Sequence, residues 1–326
     1  MEAYSGSPEA MMIGGAIADI LLRPVDASVF AQGSTAVDSI RMSVGGDALN
    51  ESTVLARLGH VPLLVTRLGM DGVAEFILSH CAREGVQVCA ARQDGLDTGI
   101  NAVLVSPSGE RSFVTNRNGS LRKLDMKDVE QAMAGVEFDA VRLVCLASMF
   151  VSPVLELDDM ETLFARAKAC GKIVCADTTR PKKGETLRDA AAALRHLDYF
   201  FPNLEEARTL TGLREPEMIA DALLDAGVGC VALKLGGEGC LLKCSQGTET
   251  RVPCYPVAQC VDTTGAGDTF AGAFIAALLE NRSPVECAAY ANAAASVCVE
   301  RLGATTARMD RAEVMRRFEK ILQCLR

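Results

Sequence analysis

The chain has 326 residues, 49% of them apolar, and a formal charge of −9 at neutral pH. That length accommodates one large α/β domain or two smaller ones, with ample material for a core. The acidic balance excludes a broad nucleic-acid-binding face, which needs clustered lysine and arginine, but not local phosphate sites.

No basic segment followed by an apolar stretch opens the chain, and no apolar run reaches the length of a membrane span. The sequence therefore reads as a cytoplasmic protein with no membrane partner. Thirteen cysteines without a Cys-x-x-Cys pair, beside three histidines, do not suggest a structural zinc site. Cys145, Cys175, Cys230 and Cys298 lie in apolar runs and read as small buried hydrophobes in a reducing compartment.

In chain order, apolar runs at 11–16, 63–68, 141–146, 172–176, 199–201 and 230–235 lack the alternation of half-buried strands. Helical patterns separate them at about 47–58, 72–84, 156–170 and 204–211. Three more helices follow, at 268–279, 284–300 and 311–322. Unalternating strands divided by helices indicate a parallel sheet covered on both faces. Two stretches, 21–44 and 89–117, break this rhythm with short strands and turns. One turn is a hairpin signal, Ser106-Pro107-Ser108-Gly109, between 100–105 and 111–115. Neither stretch carries a crossover helix, so they read as a small second sheet, a lid. With no repeat or linker to divide it, 1–326 reads as one domain.

The motifs also come in order. Gly14 and Gly15 precede Asp19, a carboxylate able to accept sugar hydroxyls, although a lone turn acid is the blander reading. The dinucleotide fingerprint Gly-x-Gly-x-x-Gly is absent. Gly45 and Gly46 open a helix, with Asp47 or Asn50 facing the same pocket in a way that suits a polyol. Asn203 and Glu206 have the spacing of a capping box, yet the same carboxylate could organise Mg²⁺ waters. Lys234, Gly236 and Gly239 lie in a glycine-rich turn open enough to admit a nucleotide.

The most informative segment is Asp262-Thr263-Thr264-Gly265-Ala266-Gly267-Asp268, which leads directly into an apolar helix. The first amides of a helix have no intrahelical partner and sit at the positive end of its dipole. Small residues there let an anion approach the backbone. Asp268 would stand beside that cradle, where it can take a proton from an attacking hydroxyl. This arrangement suits phosphoryl transfer to an alcohol.

Taken in order along nearly the whole chain, these motifs resemble the ribokinase family, the PfkB-type carbohydrate kinases. Residues 262–268 match that family's C-terminal signature, and Gly45-Gly46 through Gly59 its N-terminal one. The resemblance implies a three-layer α/β/α fold with a β-lid that covers the sugar and often forms a dimer interface. It places Asp268 on the catalytic base and Gly265, Ala266 and Gly267 on the anion hole. Asp19, Gly45, Gly46, Asp47 and Asn50 fall at sugar-binding positions. ATP falls to Asn203, Glu206, Lys234, Gly236, Gly239 and Asn292, with Glu206 serving Mg²⁺ through water. Asp262 and Thr264 match part of a loop that binds a monovalent cation, K⁺, in some members, where Ala307 replaces a serine. Arg117 and Arg180 match arginines of ketohexose or sugar-acid kinases and would favour a carboxylate. A nucleoside acceptor and a catalytically silent sugar-binding protein are the alternatives.

Overall fold

The computed structural model describes residues 6–135, 137–301, 303 and 309–325. A nine-stranded sheet runs through the described residues. Its strands are β1 (Ala10–Ile13), β4 (Pro62–Gly69), β5 (Gln87–Gln93), β8 (Leu143–Met149), β9 (Ile173–Thr178), β10 (Tyr199–Phe200), β11 (Cys230–Lys234), β12 (Cys240–Cys244) and β13 (Glu249–Val252). The order is β13-β12-β11-β10-β9-β8-β1-β4-β5; it is parallel from β11 to β5, with an antiparallel edge at β12 and β13. A second sheet, ordered β3-β2-β6-β7, consists of β2 (Ile17–Arg23), β3 (Ser39–Gly45), β6 (Ile100–Val105) and β7 (Arg111–Thr115).

The helices are α1 (Asp47–Arg57), α2 (Gly72–Glu84), α3 (Met126–Met133), α4 (Glu137–Ala140), α5 (Leu157–Ala169), α6 (Leu187–Leu194), α7 (Leu204–Thr211), α8 (Pro216–Asp225), α9 (Ala266–Leu279), α10 (Pro284–Cys298) and α11 (Arg311–Cys324). Successive strand residues point to opposite faces, so β1 sends Met11 and Ile13 into one apolar layer and Met12 into the other. The first layer packs against α3, α5, α6, α7 and α8; the second contains α9, α10 and α11. From Thr269 to Leu279 every residue of α9 is buried, which explains its all-round apolar sequence. Gly272 permits its close approach to α1: a Cβ there would lie 2.9 Å from the Glu51 carbonyl oxygen. No helix among the described residues is long and apolar enough to cross a membrane.

The parallel sheet, the seven expected helices and the 106–109 hairpin agree with the sequence reading; α4 and α8 were not anticipated, and four further differences have physical reasons. The apolar run at 11–16 is not one strand, because Gly14 and Gly15 swing the chain from β1 into β2 of the second sheet. That sheet thus starts at Ile17 rather than 21. Residues 89–93 pair with β4 as part of the main sheet, not with the second one. The short helices α3 and α6 begin at side-chain capping boxes of Asp125 and Thr186, too local to stand out from periodicity. Cys230 is not a lone buried thiol but forms a disulfide with Cys244, its direct neighbour across the β11–β12 pair. Cys145 and Cys175 are buried thiols as expected.

Candidate active site

Ligands of open α/β sheets collect at the carboxyl ends of the strands. Here Ser148 and Asp177 stand one residue before the ends of β8 and β9, and Lys234 ends β11 and bridges to Asn203 just before α7. The N-termini of α1 and α9 meet over this edge. Gly265, at φ 74°, caps α9 in the left-handed region that glycine tolerates. Asp268 lies in the first turn, and its Oδ2 accepts a 2.6 Å hydrogen bond from Asn50 Nδ2. Asp47, at the first position of α1, accepts a bond from the Ser148 hydroxyl.

Lys234 Nζ lies 2.7 Å from Asp177 Oδ2. It also stands 3.4 Å from the position a Cβ on Gly267 would take, which is van der Waals contact distance. The lysine therefore sits directly against the α9 N-terminus. Burial raises the pKa of Asp268, while the Asn50 hydrogen bond and the charge of Lys234 oppose it. Asp177 is pushed up to about 7, mainly by burial, against the pull of Lys234. Asp47 is raised well above the carboxylate range by burial, then by Asp268 and Asp177. Burial opposes the charge on Lys234, but Asp177 and Glu206 hold it protonated. Lys234 thus serves a cluster of crowded carboxyls, an environment that favours an incoming cation or a proton-sharing substrate.

On the acceptor side, Asp19 Oδ1 accepts a 3.1 Å bond from Asn101 Nδ2. A Cβ on Gly45 would fall 2.2 Å from Asp19 Oδ2, so that glycine makes room for the carboxylate. Gly46, at φ 94°, leads into α1. The structure thereby joins Asp19, Gly45, Gly46, Asp47, Asn50 and Asp268. The two arginines are not drawn into this cluster. Arg117 is exposed and has no ion-pair partner among the described residues, and Arg180 is exposed with Glu205 Oε2 4.0 Å away.

On the other side of Lys234 lies a cavity of about 500 Å³, lined in part by Asn203, Lys234, Gly236, Gly239, Gly267 and Asn292. It thus gathers most of the positions that the sequence had assigned to a nucleotide. Phe270, Val257 and Val299 give it an apolar wall suited to a base. Asn292 is held by bonds from its Nδ2 to the Val252 and Pro253 carbonyls, at 2.9 and 3.3 Å. Asn203 and Glu206 form the reciprocal capping box, each bond 2.9 Å. Burial raises the pKa of Glu206, with Lys234 opposing.

Asp262, at the start of the loop before α9, is buried. Its Oδ1 accepts from the Thr264 amide and hydroxyl at 2.9 and 2.8 Å, and its Oδ2 from the Gly303 amide at 2.7 Å. Arg111 Nη2, from β7 of the second sheet, lies 2.6 Å from Oδ1. Ala307 lies outside the described residues.

Several polar residues of this region escaped the sequence reading. Asp177 carried one usable signal, an acid ending an apolar strand. Ser148 and Asn101 resemble ordinary strand residues and become recognisable only through their partners. Glu51 is fully buried in α1; its Oε2 faces the Cys145 thiol at 3.7 Å, and its Oε1 has no hydrogen-bond partner among the described residues.

The sheet order, the paired α1 and α9 N-termini and the adjoining cavity are those of the ribokinase-like α/β class. Residues 8–311 match the pfkB family carbohydrate kinases, and the chain belongs to that family. It is a carbohydrate kinase, an ATP-dependent phosphotransferase. It is 28% identical over 287 residues to a ribokinase of Haemophilus influenzae, covering 86% of this chain and 88% of that one. It is 27% identical over 283 residues to a 2-dehydro-3-deoxygluconokinase of Escherichia coli K12, covering 81% and 90%. The structure of Arabidopsis thaliana ribokinase complexed with ribose and ATP superposes with a TM-score of 0.80 at 25% identity, covering 96% and 99%.

Proposed function

We propose that this kinase transfers the terminal phosphoryl group of MgATP to a primary hydroxyl of a sugar or sugar acid. The observation that carries the reading is the Asn50–Asp268 bond beneath the α9 N-terminus, with Lys234 against Gly267. Asp268 accepts the hydroxyl proton as the acceptor oxygen attacks phosphorus and the bond to ADP breaks. The Gly265–Gly267 turn and Lys234 stabilise charge on the transferring group, so positioning and electrostatics supply most of the acceleration. Asp19, Asp47 and Asn50, on Gly45 and Gly46, hold the acceptor hydroxyls. The 500 Å³ cavity takes adenosine, with Asn292 at its buried wall.

Mg²⁺ arrives with the phosphates and needs few protein ligands. Glu206 Oε2 is engaged in the helix cap, so Oε1 is the oxygen that would meet its waters. The second sheet acts as a lid over the sugar within a single domain, excluding water from the reacting phosphate. Its outer face shows Ile40, Met42 and Val114, 64%, 52% and 60% exposed, and we assign it to a homodimer contact that light scattering would test. A cytoplasmic location belongs to the same proposal, since ATP is supplied there.

The test is ADP release from MgATP across ketoses, aldoses, sugar acids and nucleosides, beside the Asp268→Asn variant. Turnover on a sugar or sugar acid that the variant lacks supports the reading. A preference for a nucleoside overturns its substrate class, and ATP binding without turnover on any acceptor favours a silent sugar-binding protein.

A further inference from the structure

The loop before α9 contains Asp262 and Thr264, the two described residues that would serve a monovalent cation beside the anion cradle. Their geometry does not fit that role. The Thr264 hydroxyl donates to Asp262 Oδ1, as does the Thr264 amide, and the Gly303 amide occupies Oδ2. Oδ1 also receives the Arg111 guanidinium at 2.6 Å, in a pair whose side chains are only 20% and 4% exposed. The positive charge that the buried carboxylate needs is therefore already covalently part of the chain.

The register of the second sheet shows where that charge comes from. Thr115 pairs with Asn101 and Asn101 with Asp19, so the three share a face of the sheet. Arg111, four residues before Thr115 on β7, lies on that same face by strand alternation. One face of the second sheet thus presents Asp19 to the acceptor cluster and Arg111 to the loop leading into the α9 N-terminus. Burial alone would raise the pKa of Asp262, but Arg111 and the Thr264 and Gly303 bonds bring it below the ordinary range.

We propose that Arg111 is a positioning residue whose guanidinium replaces a monovalent metal ion as the counter-cation of Asp262 and latches the second sheet onto the anion-cradle loop. The inference rests on the kinase reading above. Through Asp262, Arg111 sets the loop from which the Gly265–Gly267 turn springs. Misplacing such a turn by about 1 Å costs on the order of 10²-fold in rate.

The experiment compares wild type, Arg111→Lys and Arg111→Ala with tetramethylammonium or potassium as the sole monovalent cation. Wild-type turnover should be the same in both, and its melting temperature should show no potassium-specific rise. Arg111→Ala should lose about 10²-fold in kcat with a much smaller change in acceptor KM. Part of that loss should return on adding potassium or methylguanidinium, and Arg111→Lys should fall between the two. Wild-type turnover that depends on potassium, or an unchanged kcat in Arg111→Ala, overturns the proposal. If Arg111→Ala does not fold, the wild-type cation comparison and Arg111→Lys still decide it. Wild type without turnover on any acceptor refutes the kinase reading instead, and a potassium-specific melting rise in wild type would separately refute the latch.

Discussion

Asn50 Nδ2 and Asp268 Oδ2 are 2.6 Å apart, although 218 positions separate the two residues in sequence. The bond ties the first turns of α1 and α9 together and joins the residues proposed for the acceptor to the one proposed as the base. It also favours the ionised form of Asp268 in a site whose burial disfavours it.

That relationship predicts a pH effect. A general base works when ionised, so kcat/KM should rise with pH through the Asp268 pKa, which burial raises from the usual aspartate value. Asn50→Ala removes a group that lowers this pKa, so the acid limb should move to higher pH. The rate at neutral pH should fall by about 10-fold or more. A limb that stays in place or moves down would show that Asn50 does not tune the base.

Asp19 should act on the acceptor alone. Asp19→Ala is expected to raise the acceptor KM by about 10–100-fold, the range for losing hydrogen bonds to a charged group, and to leave the ATP KM unchanged. Steady-state kinetics with each substrate varied in turn would check this. A rise confined to ATP would place Asp19 on the wrong side of the reaction.

Lys234 should matter mainly in the transition state, since its ammonium faces the α9 N-terminus. Lys234→Met is expected to lower kcat by about 10²–10³-fold, as removal of one preorganised electrostatic group does elsewhere. Equal kcat with weakened ATP binding would reduce its part to nucleotide affinity.

Asp177 gives a prediction about stability. Its folded pKa of about 7 lies above the 3.8 of an unperturbed aspartate. Its contribution to stability is therefore fully present below 3.8 and is lost as pH rises through about 7. The stability of wild type relative to Asp177→Asn should therefore fall across that interval, by at most about 4 kcal/mol at 1.36 kcal/mol per pKa unit. Denaturant unfolding at several pH values would measure it. A relative stability that increases with pH would contradict the assignment.

Gly272 tests the packing that brings α1 and α9 together. Alanine normally stabilises a helix interior by about 1 kcal/mol over glycine. Here its Cβ would lie 2.9 Å from a backbone oxygen and 3.0 Å from Val54 Cβ. Gly272→Ala should therefore destabilise the fold by about 1–3 kcal/mol. A gain in melting temperature would mean that α1 can retreat without cost.

Much of this site could be read in the sequence because glycine-rich turns at helix starts are local features. The turns at Gly45-Gly46 and Gly265–Gly267, and the strands feeding them, carry their own punctuation. What stayed hidden depends on distant partners. The ion pair of Arg111 with Asp262 joins residues from different sheets, and nothing near Arg111 signals it. Asp177 looks like a turn acid until Lys234 is placed beside it. Residues Asn50 to Thr53 are polar yet all buried, so α1 shows no clean apolar stripe from which the burial of Glu51 could be inferred. The break between β1 and β2 was masked because Gly14 and Gly15 sit between apolar runs that read continuously.

The role of Asp268 is tested most directly by MgATP turnover of Asp268→Asn on the best acceptor, with ATP binding followed calorimetrically. Asp268→Asn should bind ATP with wild-type affinity and show a kcat reduced by at least about 10²-fold, the lower end for loss of a general base. Near-wild-type kcat in a variant that folds and binds ATP would contradict the assignment of Asp268 as the base.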